Sequence, residues 1–266
     1  MQRLLYWLAV GLLNTGAATA VAGEAGRSLA QAVYDRPDGR DMASRGVMVL
    51  VEEGHRPRVR TLYRYRVDKG AGEVWELIRF TDPGDIAGTG MLTQDHPGDE
   101  TDQWLYLPAL ERTRRIAASR KGGRFVGSDL YYEDLQDREV GQDQHTLLGE
   151  EVFQDVLCKK LESTPTDPSS SVYRKRISWI HPELLIPLRV DYYRPHRDRP
   201  AKRLEVYRVE KVQGYWTVMD STMHDLASGH RTRLRTDEVV YDQDLPDALF
   251  SRSHLADPAR EAQFRP

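Results

Sequence analysis

A single cysteine, Cys158, excludes an intramolecular disulfide, so stability has to come from a packed core. The chain also lacks the short signatures of familiar reactions: it has no glycine-rich phosphate loop, no Gly-x-Ser-x-Gly turn, no His-Glu-x-x-His pair and no paired cysteines at zinc spacing. Its eight histidines, His55, His96, His145, His181, His196, His224, His230 and His254, are scattered and mostly sit beside Pro, Gly or Arg, which reads as surface rather than as converging metal ligands. No catalytic residue, metal or cofactor is therefore expected, and the chain reads as a non-enzyme. An excess of positive charge is missing too, since 38 basic residues face 41 acidic ones for a net charge of −3. That balance argues against nucleic acid as a partner.

Long apolar runs are absent apart from the stretch Leu4 to Leu13, which is too short for the roughly 20 residues of a membrane span. It follows Arg3 and leads into the small-x-small sites Ala18-Thr19-Ala20 and Ala20-Val21-Ala22. Basic, apolar and small-residue parts in that order make a secretory signal peptide, with cleavage after Ala22. The expected organisation is a signal over 1–22 and one domain over 23–266. No cysteine follows the cleavage site to carry a lipid anchor, so the mature protein is expected to be exported and soluble.

Beyond the signal, Leu29, Ala32 and Val33 lie at helical spacing, and Pro37-Asp38-Gly39 ends that pattern. From Gly46 onward the residues alternate, with β-branched and aromatic side chains in runs cut by turns. Strands are expected near 46–53, 57–67, 73–81, 88–94, 102–107, 112–117, 145–149, 156–163, 172–180, 186–194, 202–212, 215–226 and 230–241. Short connections favour antiparallel hairpins, and strands of this number make one large curved sheet or barrel.

Alternation sorts each strand into two faces. Val59, Thr61, Tyr63 and Tyr65 share one side, while Arg58, Arg60, Arg64 and Arg66 share the other, which is expected to be wet. Leu188, Val190 and Tyr192 likewise oppose Arg189 and Asp191, and Tyr173, Ile177 and Trp179 oppose Arg174, Arg176 and Ser178. An apolar aromatic face needs a cover: a helix, the curl of the sheet itself, or a ligand.

The main interruption of the β pattern is Ser119 to Asp137, where Lys121-Gly122-Gly123-Arg124 precedes Phe125, Leu130, Tyr131, Tyr132 and Leu135. Its carboxylates, Asp129, Glu133, Asp134 and Asp137, could do acid and base work. The stretch also looks like a short helix in which Ser128 or Asp129 caps and acids fill the first turn, and the capping role is preferred. A loop and short helix acting as a lid is expected here, with Tyr131 and Leu135 turned to the concave face; a static plug is the alternative. The basic run Arg112-Thr113-Arg114-Arg115 with Arg120, Lys121 and Arg124 reads as a solvated face or a docking patch.

Several strings, in order, carry a family resemblance: Val33-Tyr34-Asp35-Arg36-Pro37-Asp38-Gly39-Arg40-Asp41, Ile78-Arg79-Phe80 with Gly88-Thr89-Gly90, and Asp102-Gln103-Trp104-Leu105-Tyr106-Leu107-Pro108-Ala109-Leu110 with Arg114-Arg115-Ile116. Gly127 to Leu135, Pro187-Leu188-Arg189-Val190, Gly229 to Leu234 and the ending Leu245-Pro246-Asp247-Ala248-Leu249-Phe250 follow. Together they resemble the LolA-like outer-membrane lipoprotein-sorting proteins. The resemblance implies a mainly β fold, an incomplete and strongly curved antiparallel half-barrel with a few short helices covering the concave face. It also implies a periplasmic carrier or chaperone that holds a lipid or lipoprotein acyl chain and moves it between inner-membrane machinery and the outer membrane. Proteins of this type look like companions of inner-membrane exporters of the resistance-nodulation-division (RND) class, so a non-catalytic scaffold or adaptor of such a complex is the alternative. A monomer is expected. The anticipated ligand-binding residues of the hydrophobic cavity are Tyr63, Trp75, Trp104, Tyr106, Tyr131, Leu135, Ile177, Trp179, Leu188, Tyr192 and Val206.

Overall fold

A computed structural model describes residues 15–98 and 101–266. Thirteen strands form a single sheet in the order β6-β5-β4-β3-β2-β1-β13-β12-β11-β10-β9-β8-β7. They span Asp41–Val51 (β1), Arg58–Gly70 (β2), Glu73–Asp82 (β3), Gly90–Asp95 (β4), Asp102–Leu107 (β5), Arg112–Arg115 (β6), Asp143–Phe153 (β7), Val156–Pro165 (β8), Lys175–Ile180 (β9), Pro187–Tyr193 (β10), Lys202–Val212 (β11), Tyr215–Asp225 (β12) and Arg231–Tyr241 (β13). Every neighbouring pair is antiparallel. The sheet does not close into a barrel, because β6 and β7 are left as free edges.

This order follows from two meanders. The first runs from β1 outward to the edge β6, and the second runs from the opposite edge β7 back to β13, which pairs with β1 from Met42↔Tyr241 to Val51↔Arg231. The chain between β6 and β7 must therefore pass from one edge of the sheet to the other. That connection, 116–142, contains the interruption expected from the sequence, and its Phe125 and Leu130 bury against Met48, Ile78, Phe80 and Met223.

Strand number and order along the chain match the expectation, most ends fall within three residues of it, and two differ by more. β1 begins at Asp41 rather than Gly46, and β7 reaches Phe153 rather than 149. The helix is longer than anticipated: α1 spans Thr15–Tyr34 and runs through the expected cleavage point at Ala22. Residues 1–14, which carry the basic and apolar parts of the expected signal, lie outside the described residues. α1 packs on β7 and β8, where Leu29 and Ala30 bury against Leu161 and Ile180. The approach is close enough that a Cβ on Gly26 would stand 2.8 Å from the His145 backbone.

A second cover lies on the other face. After β13 the chain folds through Asp247–Phe250, a short helix α2 (Arg252–Leu255) and Pro258–Phe264. Leu245, Leu249, Phe250 and Leu255 pack there against Ala43, Tyr65, Leu77 and Leu92. Burying four such side chains contributes on the order of 1.5–3 kcal/mol each. Arg79, fully buried, bonds Glu261 Oε1 at 2.7 Å and the carbonyls of Gly88 (2.6 Å) and Leu255 (2.8 Å).

Candidate functional site

Between the concave face, α1 and the connection 116–142 lies a cavity of about 980 Å³, partly open to solvent. Its size is at the top of the roughly 300–1,000 Å³ range of small-molecule sites. One part of the wall is apolar: Leu62 from β2, Leu204 from β11, Leu234 from β13 and Leu135 from the connection are half-buried and face the space, beside Met48, Ile78 and Met223. Val33 of α1 adds to it, with Leu161 and Ile180 from β8 and β9.

The rest of the wall is charged, because on β2 the residues that alternate with the tyrosines point inward. Arg64 keeps 47% of its side chain open, and donates to Glu76 Oε2 on β3 at 2.6 Å. Glu76 beside it holds the guanidinium pKa above its ordinary value. Arg66 lies 3.1 Å from Asp38 and 3.7 Å from Asp68. Burial pushes the Asp95 carboxyl up to about 7, against the pull of hydrogen bonds from Thr101 and the Asp137 backbone. Burial likewise raises Asp137, with Arg66 opposing, and raises the Tyr34 phenol, which the Asp137 and Glu139 carboxylates push further up. On the far side, Asp143 accepts from both Arg138 and Arg176.

Of the eleven residues anticipated as lining, Leu135 and Tyr192 face the cavity and the other nine do not. Tyr63, Trp75, Trp104 and Tyr106 lie on the opposite face of β2, β3 and β5 and pack against the C-terminal segment. There Phe250 approaches Trp75, Arg252 covers Trp104 and Arg265 sits 4.6 Å from the Tyr63 ring. Ile177, Trp179, Leu188 and Val206 form a cluster of their own with Cys158 and Ile186. Ile177 and Trp179 alternate with Arg176, Ser178 and Ile180, which line the cavity. Tyr131 stacks on Tyr173 with the Lys202 ammonium 3.7 Å from its ring centre. Alternation separates the two faces of a strand without saying which is concave, and a sheet covered on both sides has two apolar faces. The inward arginines, expected to be solvated, are the residues that reasoning missed; the signal present was Glu76 across from them on β3.

The connection 116–142 is clamped to the sheet by its own carboxylates. Asp129 accepts from Thr232 Oγ1 at 2.7 Å and pairs with His230. Glu133 accepts from Ser171 and from the Val172 backbone at 2.7 Å. Asp134 accepts from Tyr173 at 2.8 Å and from Lys202, and it also caps the Tyr131 backbone at 2.7 Å. Burial draws the Lys202 pKa down while Asp134 holds it up. With Phe125 fully buried and Leu130 nearly so, the segment is packed into the core, as the plug alternative requires. Capping, expected for Ser128 or Asp129, is done by Asp134.

Comparison with known proteins places this geometry in a family. A family model described as "Uncharacterized protein" matches residues 72–257, more than half of the chain. A DUF1329 family protein from Desulfovibrio piger is 32% identical, with a TM-score of 0.84 over 88% of this chain and 99% of that one. The chain belongs to this DUF1329 family. A structure from Vibrio parahaemolyticus, described as a "putative outer membrane lipoprotein-sorting protein domain", is 29% identical with a TM-score of 0.83, covering 88% and 99% of the two chains. A LolA superfamily protein from Nitrosomonas europaea, 19% identical over 86% and 98% with a TM-score of 0.67, shares the fold. None of the curated proteins matches.

Proposed function

We propose that this protein is a periplasmic carrier that holds the hydrocarbon part of a lipid or lipoprotein against the concave face of its open sheet. The observation that carries the reading is the 980 Å³ space beneath α1, whose half-buried Leu62, Leu204 and Leu234 have no segment among the described residues filling the room in front of them. Each methylene transferred there from water contributes about 0.8 kcal/mol. Half of a sixteen-carbon chain therefore gains on the order of 6 kcal/mol, enough to hold a lipid while it crosses an aqueous compartment. The likeness to a lipoprotein-sorting domain over nearly its whole length supports the same class of ligand.

The chain is exported by its first 22 residues and works as a soluble monomer, with an inner-membrane exporter as its source or acceptor of cargo. The mature helix then begins near Gly23 and keeps Leu29, Ala30 and Val33, the residues that anchor it to the sheet. No helix among the described residues is long and apolar enough to cross a membrane. No bond is made or broken in this account, which depends on burial alone.

Native mass spectrometry of protein taken from periplasmic extract tests it. Added mass of lipid that is lost on collisional heating is the expected result. A ligand-free protein after incubation with mixed lipid vesicles would overturn the carrier reading in favour of a scaffold. The intact mass in the same experiment reports whether the chain starts near Gly23 or retains Met1.

A further inference from the structure

The carrier reading leaves the polar group of the ligand open, and the charges of the cavity wall bear on it. We propose that the cavity selects amphiphiles whose polar group donates hydrogen bonds, an ammonium or a set of hydroxyls, and disfavours those ending in carboxylate or phosphate. The inference rests on the carrier reading above.

Where β2, β3 and β4 meet the end of α1 and the tail of the plug, the lining carries seven carboxylates: Asp35, Asp38, Asp68, Glu76, Asp95, Asp137 and Glu139. Three cations, Arg36, Arg64 and Arg66, share that wall. Two are already engaged, Arg64 by Glu76 at 2.6 Å and Arg66 by Asp38 at 3.1 Å. Asp95 and Glu139 form no ion pair among the described residues; Thr101 Oγ1 (2.6 Å) and the Asp137 backbone (3.0 Å) donate to the first, and the Gly98 backbone (3.1 Å) donates to the second. The surplus on this wall is of acceptors and of negative charge.

The opposite wall does not reverse the balance. Arg138 and Arg176 share Asp143, and Arg138 spends further donors on the Gln142 and Ser170 carbonyls. Arg235 pairs with Asp237. Around the whole lining, nine carboxylates stand against six guanidiniums. Arg36 donates to the Trp216 carbonyl at 3.4 Å and is the one lining guanidinium without an ion pair among the described residues. At the other five an anionic headgroup would have to break an existing pair, and everywhere it would meet repulsion from the surplus of acids. A donor group meets ready acceptors.

Displacement of the neutral dye N-phenyl-1-naphthylamine by amphiphiles that share one dodecyl chain tests the idea, each kept below its micellar concentration. Dodecylammonium and dodecyl maltoside are expected to displace the dye at concentrations about tenfold below those needed for dodecanoate or dodecyl phosphate. The two donor arms tell ammonium from hydroxyl, because tighter binding of the former means that charge is read and equality means that hydrogen bonding is. In the Asp137→Asn, Glu139→Gln double variant the disadvantage of dodecanoate relative to dodecyl maltoside is expected to shrink. Equal or tighter binding of the anions by the native protein overturns the charge preference and leaves the carrier reading standing. Failure of the dye and of every amphiphile to bind overturns the carrier reading, and this inference with it.

Discussion

Arg79 and Glu261, 182 residues apart in sequence and both without exposed side-chain surface, bond to each other on the face of the sheet away from the cavity. The pair fixes the last segment of the chain to β3. Breaking a buried pair from one side leaves an uncompensated charge, which costs about 3–5 kcal/mol. Glu261→Gln is expected to lower stability by that order in urea unfolding and to expose the C-terminal segment to trypsin. The double replacement of both residues by Met should recover much of the loss.

Gly90 makes room for that arginine. A Cβ at position 90 would stand 2.5 Å from Arg79 Nη1 and 2.8 Å from Leu255 Cδ1. Gly90→Ala is therefore expected to cost about 1–3 kcal/mol, the range for overpacking. Gly84→Ala, with nothing within 4 Å, is the control expected to leave thermal unfolding nearly unchanged.

Asp95 gives stability a pH dependence of known sign. Its folded pKa, about 7, lies above the ordinary carboxylate value of 3.8, so folding favours the protonated form. The contribution is full below about pH 4 and is lost as pH rises through about 7, with a slope of at most about 1.4 kcal/mol per unit. Acidification from pH 8 to pH 5 should stabilise the native protein through this group. Asp95→Asn is expected to flatten that part of the profile, since its amide can donate to Thr101 and its oxygen can accept from the Asp137 backbone. An unchanged slope in the variant would assign the dependence to another group.

The sequence exposed the strands better than it exposed the faces. Hairpins such as 202–212 and 215–225 announce themselves through alternation and the turn at Gln213-Gly214, and both were read to within a residue. Asp41 to Arg45 escaped because Met42 and Ser44 face the cavity while Ala43 packs outward, so no alternation of apolar and charged residues marks the start of β1. Tyr63 and Trp75 were read as cavity residues because a strand cannot show what covers it. Their cover is the segment from Leu245 to Phe264, joined to them only by contacts distant in sequence. Arg64 and Arg66 read as solvated for the same reason, since a charge lining a cavity and a charge on a surface have the same spacing.

The plug can be distinguished from a lid by hydrogen exchange. Amides of Phe125, Leu130 and Asp134, bonded to Leu130, Ser128 and Tyr131, should be as slow as those of β1 in the empty protein and should not slow further on adding lipid. Asp134→Ala removes the partner of buried Lys202 and the cap on Tyr131, and is expected to speed exchange throughout 125–135. Fast exchange in the native protein, slowed by lipid, would restore the lid.

The central claim is that hydrocarbon lies on the concave face, and photo-crosslinking locates it most directly. A diazirine-bearing alkyl chain, loaded on the protein and irradiated, should label Leu62, Leu135, Leu204 and Leu234, with the modified residue located by fragmentation of each labelled peptide. Labelling confined to Tyr63, Trp75 or Trp104 beneath the C-terminal segment, or to Trp179 in its separate cluster, would contradict it.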